Sequence, residues 1–220
     1  MSFSLQSRAF SILLIGLAAT GCTATTTPPD GLTRPAAQQL PVSAASYAAQ
    51  TDSSFPIPAV DTASVNPENL RQQVNYRTPH PPGTIVVDTE NRFVYLVQED
   101  EKAMRYGVGV GREGLEFTGA ASVGLKREWP HWTPTPNMIA RQPDRYAQWA
   151  GGMKGGPDNP LGARALYLYK DGRDTLFRIH GTNEPHTIGQ AVSSGCIRMM
   201  NQDIIDLYRR VPAGSKVVVI

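Results

Sequence analysis

The amino-acid sequence predicts a mostly β domain with one or two short helices. The stretches GTIVVD at 83–88 and RFVYLVQ at 92–98 flank a short polar turn, which is typical of a β-hairpin. In AMRYGVGVG, at 103–111, apolar residues alternate with arginine and glycine, the pattern of a strand that is buried on one face. Patterns of this kind outnumber helical ones throughout residues 79–220.

A second hairpin, a helix and a last strand are predicted in the C-terminal half. Asp171-Gly172 separates ARALYLYK from DTLFRIH, and this dipeptide favours a tight hairpin turn whose second strand ends at His180. The stretch at 201–211 predicts a helix, because Asn201 can cap it, its apolar residues share a face, and two arginines lie near its C-terminal end. The final KVVVI predicts a strand.

The first 21 residues have the three-part layout of an export signal. Arg8 supplies a positive charge, and the apolar run from Ala9 to Ala19 is too short to span a bilayer as a mature helix. The small residues that follow end at Cys22, and Ala-Thr-Gly-Cys resembles the lipobox of bacterial lipoproteins. We therefore expect removal of residues 1–21, a membrane anchor on the lipidated Cys22, and a periplasmic location. Ordinary cleaved secretion is the alternative.

Residues 22–78 are predicted to form a disordered tether that begins at the lipidated Cys22. This stretch is rich in proline, alanine, threonine and serine and has no hydrophobic periodicity. Such a segment buries too little apolar surface to offset the entropy lost on ordering. The folded domain is accordingly expected to span residues 79–220.

Composition and motif context argue against nucleic-acid and nucleotide binding. The formal net charge is only +2, and no run of lysine or arginine stands out, so we expect no nucleic-acid partner. Residues 109–114 match the pattern Gly-x-Gly-x-x-Gly, but strand and turn residues follow where a dinucleotide site requires a helix. These glycines are interpreted as a tight loop at the end of a strand.

The segment IHGTNEPHTIGQAVSSGCIRM, at 179–199, brings together residue types suited to nucleophilic catalysis. A cysteine attacks a carbonyl as its thiolate, so Cys196 needs a base, which His180 can supply, and a positive potential, which Arg198 can supply. The carbonyl of Gly181 can orient the imidazole. Gly195 permits a sharp turn in which the N–H groups of residues 195 and 196 could bind an oxyanion.

The same segment resembles the signature of the L,D-transpeptidase catalytic domain (YkuD) family. Cys196 of SSGCIRM lies sixteen residues after His180 of IHGT, and PPGTIVVDT, RYGVGVGREG and VPAGSKVVVI look like segments of exported alphaproteobacterial members. The resemblance implies a β-sandwich of mixed sheets over residues 79–220. It also implies Cys196 as nucleophile, His180 as general base, Gly181 as the base-orienting carbonyl, and Arg198 as the polar position beyond the nucleophile. Ser194 stands where many members have histidine.

Acyl transfer on the stem peptides of peptidoglycan is what this resemblance implies. Cys196 would form a thioester with a tetrapeptide stem and release its terminal D-alanine, and an amine acceptor would then resolve the thioester. No cofactor or metal is expected, because thiol and imidazole cover nucleophilic attack and proton transfer. Arg198 and Ser194 are the expected substrate-binding residues.

Several alternatives remain open from the residues alone. Water in place of the amine would make the enzyme an L,D-carboxypeptidase, and an incidental Cys196 would leave a non-catalytic wall-binding lipoprotein. A zinc site at His180, His186 and Cys196 is disfavoured by its spacing. Trp129, Trp132 and the prolines beside them are expected to stiffen a loop or, alternatively, to form a wall or lid that faces substrate.

Overall fold

A nine-stranded mixed sheet forms the centre of the protein in the computed structural model, which describes residues 44–53, 55–111, 117–193 and 195–220. The predicted signal peptide 1–21, Cys22 and the first part of the predicted tether, 22–43, lie outside the described residues. The strands are β1 Gln50–Asp52, β2 Phe55–Ile57, β3 Gln72–Asn75, β4 Ile85–Asp88, β5 Phe93–Val97, β6 Lys102–Gly107, β7 Val110–Gly111, β8 Gly119–Glu128, β9 Arg164–Lys170, β10 Arg173–His180, β11 Ala191–Ser193, β12 Ile197–Arg198 and β13 Lys216–Val219.

The order of the strands explains how distant segments meet at one place. The large sheet runs β12-β10-β9-β8-β13-β4-β5-β6-β3, while β1-β2 and β11-β7 form separate two-stranded sheets. The pairs β10/β12, β13/β4 and β11/β7 are parallel, and the other pairs are antiparallel. The prediction of a mostly β domain with mixed sheets is confirmed.

Both predicted hairpins and the predicted closing strand are present. In the first hairpin, Ile85 of β4 lies opposite Leu96 of β5. The second hairpin joins β9 and β10 through Asp171-Gly172 and delivers His180 at the end of β10, as the turn pattern predicts. Strand β13 pairs with β4 on one side and with β8 on the other, so the last residues of the chain lie in the middle of the sheet.

The described helices are α1 Pro136–Arg141, α2 Pro143–Tyr146 and α3 Asn201–Arg210, one more than the sequence predicts. The first two are too short to show a helical period, although each begins with proline. The predicted cap is also wrong, because Met200 precedes the first turn of α3 and Asn201 is already helical. None of the helices in the described ranges is both long and apolar enough to cross a membrane.

The prediction of a disordered tether is wrong for residues 44–78. Strand β3 pairs with β6 at the edge of the large sheet, and β1 and β2 form a hairpin. Tyr47 is 1% exposed and packs with Ile188 and Met200, while Ile57 packs with Ala163 and Ile205. Buried apolar residues such as Tyr47 and Ile57 attach this mostly polar segment to the rest of the domain. The average composition of the segment does not reveal them.

A buried polar network attaches this N-terminal segment to α3. The Tyr47 hydroxyl donates to Asp203 Oδ1 over 2.9 Å and accepts from the Arg71 backbone N–H over 2.6 Å. Arg71 also lies 3.3 Å from the Asp206 carboxylate. Burial raises the pKa of Asp203 to about 7, although the Arg71 charge and the Tyr47 hydrogen bond act in the opposite direction. Removal of water from Asp203 thus outweighs the help that its partners provide.

The β1–β2 hairpin supports the loop that leaves β8. Asp52 accepts hydrogen bonds from Arg164 Nη1 over 2.5 Å and Nη2 over 2.9 Å, and from the Trp129 indole over 3.0 Å. Phe55 packs against the Trp129 ring with a centroid separation of 4.7 Å. These contacts hold Trp129 in a positive-φ conformation, with φ 41°, at the start of the loop.

We expect Asp52→Ala to lower the free energy of unfolding by about 2 to 3 kcal/mol, because it leaves the Arg164 guanidinium buried without its bidentate partner. Urea unfolding followed by circular dichroism measures this change. The matched control is Glu101→Gln, which removes an ion pair to Arg77 that is exposed to solvent and should barely move the midpoint. Equal effects of the two substitutions would contradict the support assigned to Asp52.

Limited proteolysis should leave a resistant fragment that begins before Tyr47, because the contacts of residues 44–78 protect their backbone. Mass spectrometry of the fragment identifies its first residue. A stable fragment that begins near Pro79 would instead restore the tether over its full predicted length.

Candidate active site

Parallel pairing of β10 and β12 places the predicted catalytic residues on one face of the sheet. His180 lies opposite Arg198, and Ile179 lies opposite Ile197. The two isoleucines are 0% and 3% exposed and belong to the main core. Because side chains alternate along a strand, His180 and Arg198 face away from that core. Continuing the same register puts Cys196, the residue before Ile197, on the face of His180.

A cleft of about 780 Å³ opens on this face of the sheet. His180, Gly195, Cys196 and Arg198 all line it, so the structure brings the thiol and the imidazole into one cavity. The loop between β8 and β9 supplies one wall, and the bulged start of β10 supplies another. The loop residues at the cleft include Trp132, Met138, Arg145, Tyr146 and Trp149.

The imidazole of His180 is buried, neutral and held in one tautomer. Its Nδ1 lies 2.6 Å from the Gly181 carbonyl oxygen. A carbonyl can only accept, so Nδ1 carries the proton and Nε2 keeps its lone pair. Burial lowers the pKa of His180 to about 4, with the charges of Arg198 and Arg178 adding to the effect and the Gly181 hydrogen bond opposing it. The ring is thus available as a base over a wide pH range.

Glycine is required at position 181 by a close contact with α3. A Cβ at this position would collide with Asn201 Oδ1. Asn201 accepts from the Ala163 backbone N–H over 2.9 Å and donates to the Thr182 carbonyl over 3.0 Å. Asn201, the residue predicted as a helix cap, therefore connects the segment just before β9 to the residues that follow His180.

The thiol of Cys196 is partly exposed and mostly protonated in the free site. Burial raises its pKa, while a hydrogen bond from the Arg178 backbone and the charges of Arg178 and Arg198 act in the opposite direction. The expected positive potential is therefore present, but it does not outweigh burial. This environment therefore does not favour a thiol that is already ionised at rest. Neutral thiol beside neutral imidazole is the favoured resting pair.

The turn before Cys196 has the conformation that the sequence predicts for a sharp glycine turn. Gly195 has a φ of 118°, a region that side chains with a Cβ rarely adopt. The turn presents Gly195 and Cys196 at the cleft. Ser194, the predicted substrate-binding residue, lies outside the described residues.

Arg198 is held at the cleft by its backbone and its side chain. Its N–H donates to the Gly109 carbonyl, and its carbonyl accepts from the Gly109 N–H. The guanidinium Nη1 donates to Glu184 Oε2 over 3.2 Å, and the side chain is 18% exposed. Gly109 is the first glycine of the Gly-x-Gly-x-x-Gly pattern at 109–114. Its two backbone hydrogen bonds help to position β12, the strand that follows Cys196.

Three residues of the cleft carry no recognisable signal in the sequence. Glu184 pairs with Arg198 and with Arg145, and the charge of Arg178 acts on both His180 and Cys196. Leu176 is 76% exposed with a φ of 64°, in the bulge where the pairing of β10 with β9 shifts register. The spacing of residues does not reveal the register shift that exposes Leu176. Glu184 lies in a polar turn, where the sequence does not distinguish it from an ordinary surface acid.

Trp129 and Trp132 fulfil different parts of the prediction. Trp129 stiffens and anchors the loop through Asp52, whereas Trp132 lines the cleft and contacts Tyr146 edge-on, with ring centroids 6.0 Å apart. Among the described residues, no group of three or more His, Cys, Asp or Glu side chains is arranged to hold a metal ion.

Residues 82–219 match the model of the L,D-transpeptidase catalytic domain, YkuD, and the chain belongs to this family. It is 38% identical over 140 residues to the probable L,D-transpeptidase ErfK/SrfK of Escherichia coli K12, which covers 63% of the chain and 44% of that protein. It is 34% identical over 151 residues to the probable L,D-transpeptidase YbiS of the same strain, covering 68% and 48%. The chain thus spans less than half the length of these two relatives.

A solved structure from Brucella melitensis, described as a probable carnitine operon oxidoreductase, is 51% identical to the chain. The match covers 73% of this chain and 99% of that one, with a TM-score of 0.49. The description applies to that protein alone.

Alkylation of Cys196 by iodoacetamide should rise continuously from pH 6 to beyond pH 9, because burial keeps the thiol protonated at neutral pH and only the thiolate reacts. Peptide-level mass spectrometry separates Cys196 from Cys22 and gives the rate at each pH. The urea-unfolded chain is the control, and its Cys196 should titrate near the ordinary value of about 8.5. A rate plateau below pH 7 would show a preformed thiolate–imidazolium pair.

Proposed function

We propose that this protein is a cysteine-dependent peptidoglycan L,D-transpeptidase that forms a thioester with a tetrapeptide stem and transfers the acyl group to an amine. Family membership supports the reaction class. The observation that carries the mechanism is the β10/β12 pairing, which puts His180 and Cys196 on one face of the sheet and in one cleft.

The first half-reaction starts from the neutral thiol and imidazole. As the Cys196 sulfur attacks the carbonyl carbon at the L-centre of the third stem residue, its proton moves to His180 Nε2. The tautomer set by Gly181 leaves that nitrogen free to accept it. Collapse of the tetrahedral intermediate breaks the bond to D-alanine, whose nitrogen takes the proton from the imidazolium. D-Alanine leaves, and the acyl group remains on sulfur as a thioester.

Charge that develops on the substrate oxygen needs donors prepared in advance. We assign this role to the backbone N–H groups of Gly195 and Cys196, because both residues line the cleft and Gly195 has the positive φ of a sharp turn. Arg198 and Ser194 remain the proposed substrate-binding residues. Arg198 lines the cleft with a partly exposed guanidinium, which suits a stem-peptide carboxylate.

The second half-reaction repeats the same proton transfers with an acceptor amine. The amine nitrogen attacks the thioester carbonyl and gives a proton to His180, and the departing sulfur recovers that proton as thiol. A neighbouring stem peptide as acceptor gives a cross-link, and a protein amine gives an anchored protein. The exposed Leu176 and the loop residue Trp132 line the cleft with apolar surface for such an acceptor.

We also propose that the protein acts on the periplasmic side of a membrane. The basis is the sequence alone: the export signal at 1–21 and the lipobox that ends at Cys22. Lipid on Cys22 would hold the domain near the wall whose stem peptides are its proposed substrate.

Incubation of the full chain with purified tetrapeptide muropeptides should release D-alanine and form dimers joined between two diamino acid residues. Mass spectrometry follows both products. Cys196→Ala should reduce both by 10³-fold or more, because nucleophile loss removes the covalent step, and His180→Gln should reduce them by about 10²- to 10⁴-fold.

The matched control for these variants is His186→Gln, which changes an exposed histidine near the same turn and should keep full activity. D-Alanine release without dimers would identify the protein as an L,D-carboxypeptidase. Undiminished activity of Cys196→Ala would refute the cysteine mechanism.

A further inference from the structure

Glu184 forms a two-armed ion pair across the cleft. Its Oε1 lies 3.1 Å from Arg145 Nη2, and its Oε2 lies 3.2 Å from Arg198 Nη1. Arg145 belongs to α2, in the loop wall of the cleft, whereas Arg198 belongs to β12, two residues beyond Cys196. One carboxylate therefore connects a helix of the cleft loop to the strand that directly follows Cys196.

The backbone holds this carboxylate in place. The Glu184 N–H donates to the Thr182 hydroxyl over 3.0 Å, and the Glu184 carbonyl accepts from the Thr187 hydroxyl over 2.7 Å and from its backbone N–H over 3.0 Å. Both threonines are buried. These hydrogen bonds fix the backbone at Glu184, and its side chain is held by the ion pairs to Arg145 and Arg198.

The charges that face Cys196 fall into two groups. Arg178, on β10, is paired with Asp174 by two hydrogen bonds of 2.6 and 2.7 Å. Arg198, on β12, is paired with Glu184, which Arg145 of α2 also contacts. His180 is neutral at ordinary pH because burial holds its pKa near 4. Two guanidinium groups therefore share the Glu184 carboxylate on the β12 side of the thiol.

We propose that Glu184 is a positioning residue that joins the α2 wall to Arg198 and determines how much of the Arg198 charge reaches Cys196. When Glu184 is present, its charge compensates Arg198 and adds to the effect of burial, which keeps the thiol protonated. A stem-peptide carboxylate that binds Arg198 would compete with Glu184, so binding and release of the α2 wall would be linked. This part of the proposal rests on the proposed function, but the effect on the thiol does not.

The pH dependence of Cys196 alkylation in the full chain tests the electrostatic effect. Glu184→Gln removes the compensating charge and should lower the thiol pKa by roughly 0.5 unit, which raises the alkylation rate about threefold at pH 7. Arg145→Gln removes a positive charge and leaves Glu184 wholly to Arg198, so it should raise the thiol pKa by a similar amount. The two shifts are opposite in sign.

The opposite signs of the two pKa shifts distinguish a positioning role of Glu184 from a merely structural one. General loosening of the cleft would expose the thiol and lower its raised pKa in both variants. Glu184→Asp keeps the charge and should stay within about 0.2 unit of the native protein. Glu101→Gln, which changes an exposed acid on the opposite edge of the sheet, should cause no shift. Shifts of the same sign, or no shift in Glu184→Gln, would overturn the proposal.

The double variant tests whether Arg145 acts through Glu184. In a Glu184→Gln background, the shift caused by Arg145→Gln should disappear, because the bridge that placed Arg145 at the cleft is already lost. Full additivity would refute the bridge. Since alkylation needs no peptidoglycan, these results hold independently of the muropeptide assay, and failure of one experiment is distinguishable from failure of the other.

Discussion

Pairing of the short strand β12 alongside β10 is the interaction on which the rest of the site depends. Only two residue pairs define it. It nevertheless brings His180 and Cys196, which are sixteen positions apart in sequence, to the same face of the sheet. The buried isoleucines on the opposite face secure the register, because a slip of β12 by one residue would turn the Arg198 guanidinium toward the core. Gly109 adds backbone hydrogen bonds on the other side of Arg198.

Burial then decides the protonation states within this arrangement. Burial lowers the pKa of His180 and raises the pKa of Cys196. Both shifts favour the neutral thiol and imidazole over a thiolate–imidazolium pair. A protonated thiol is less exposed to oxidation than a thiolate, which suits a cysteine expected to work outside the cytoplasm. In the proposed mechanism, activation is therefore tied to proton transfer during attack.

The N-terminal segment is structurally part of the catalytic unit, although the family match begins only at residue 82. Its edge strand β3 completes the large sheet, and Tyr47 reaches Asp203 on the helix that also carries Asn201. Asp52 holds Trp129, where the cleft loop starts. Residues that precede the matched domain therefore contact both the helix that carries Asn201 and the loop that forms one wall of the cleft.

Sequence by itself determined the local and chemical features: the hairpins at 89–91 and at Asp171-Gly172, the closing strand, and the histidine, glycine and cysteine types of the site. These follow from turn chemistry and periodicity, which act between near neighbours. Tertiary structure alone decided the packing of residues 44–78, the position of Asn201 against Gly181, the bridge made by Glu184 and the neutral state of Cys196. Each of these depends on burial or on contacts between distant segments, and neither quantity is encoded in spacing along the chain.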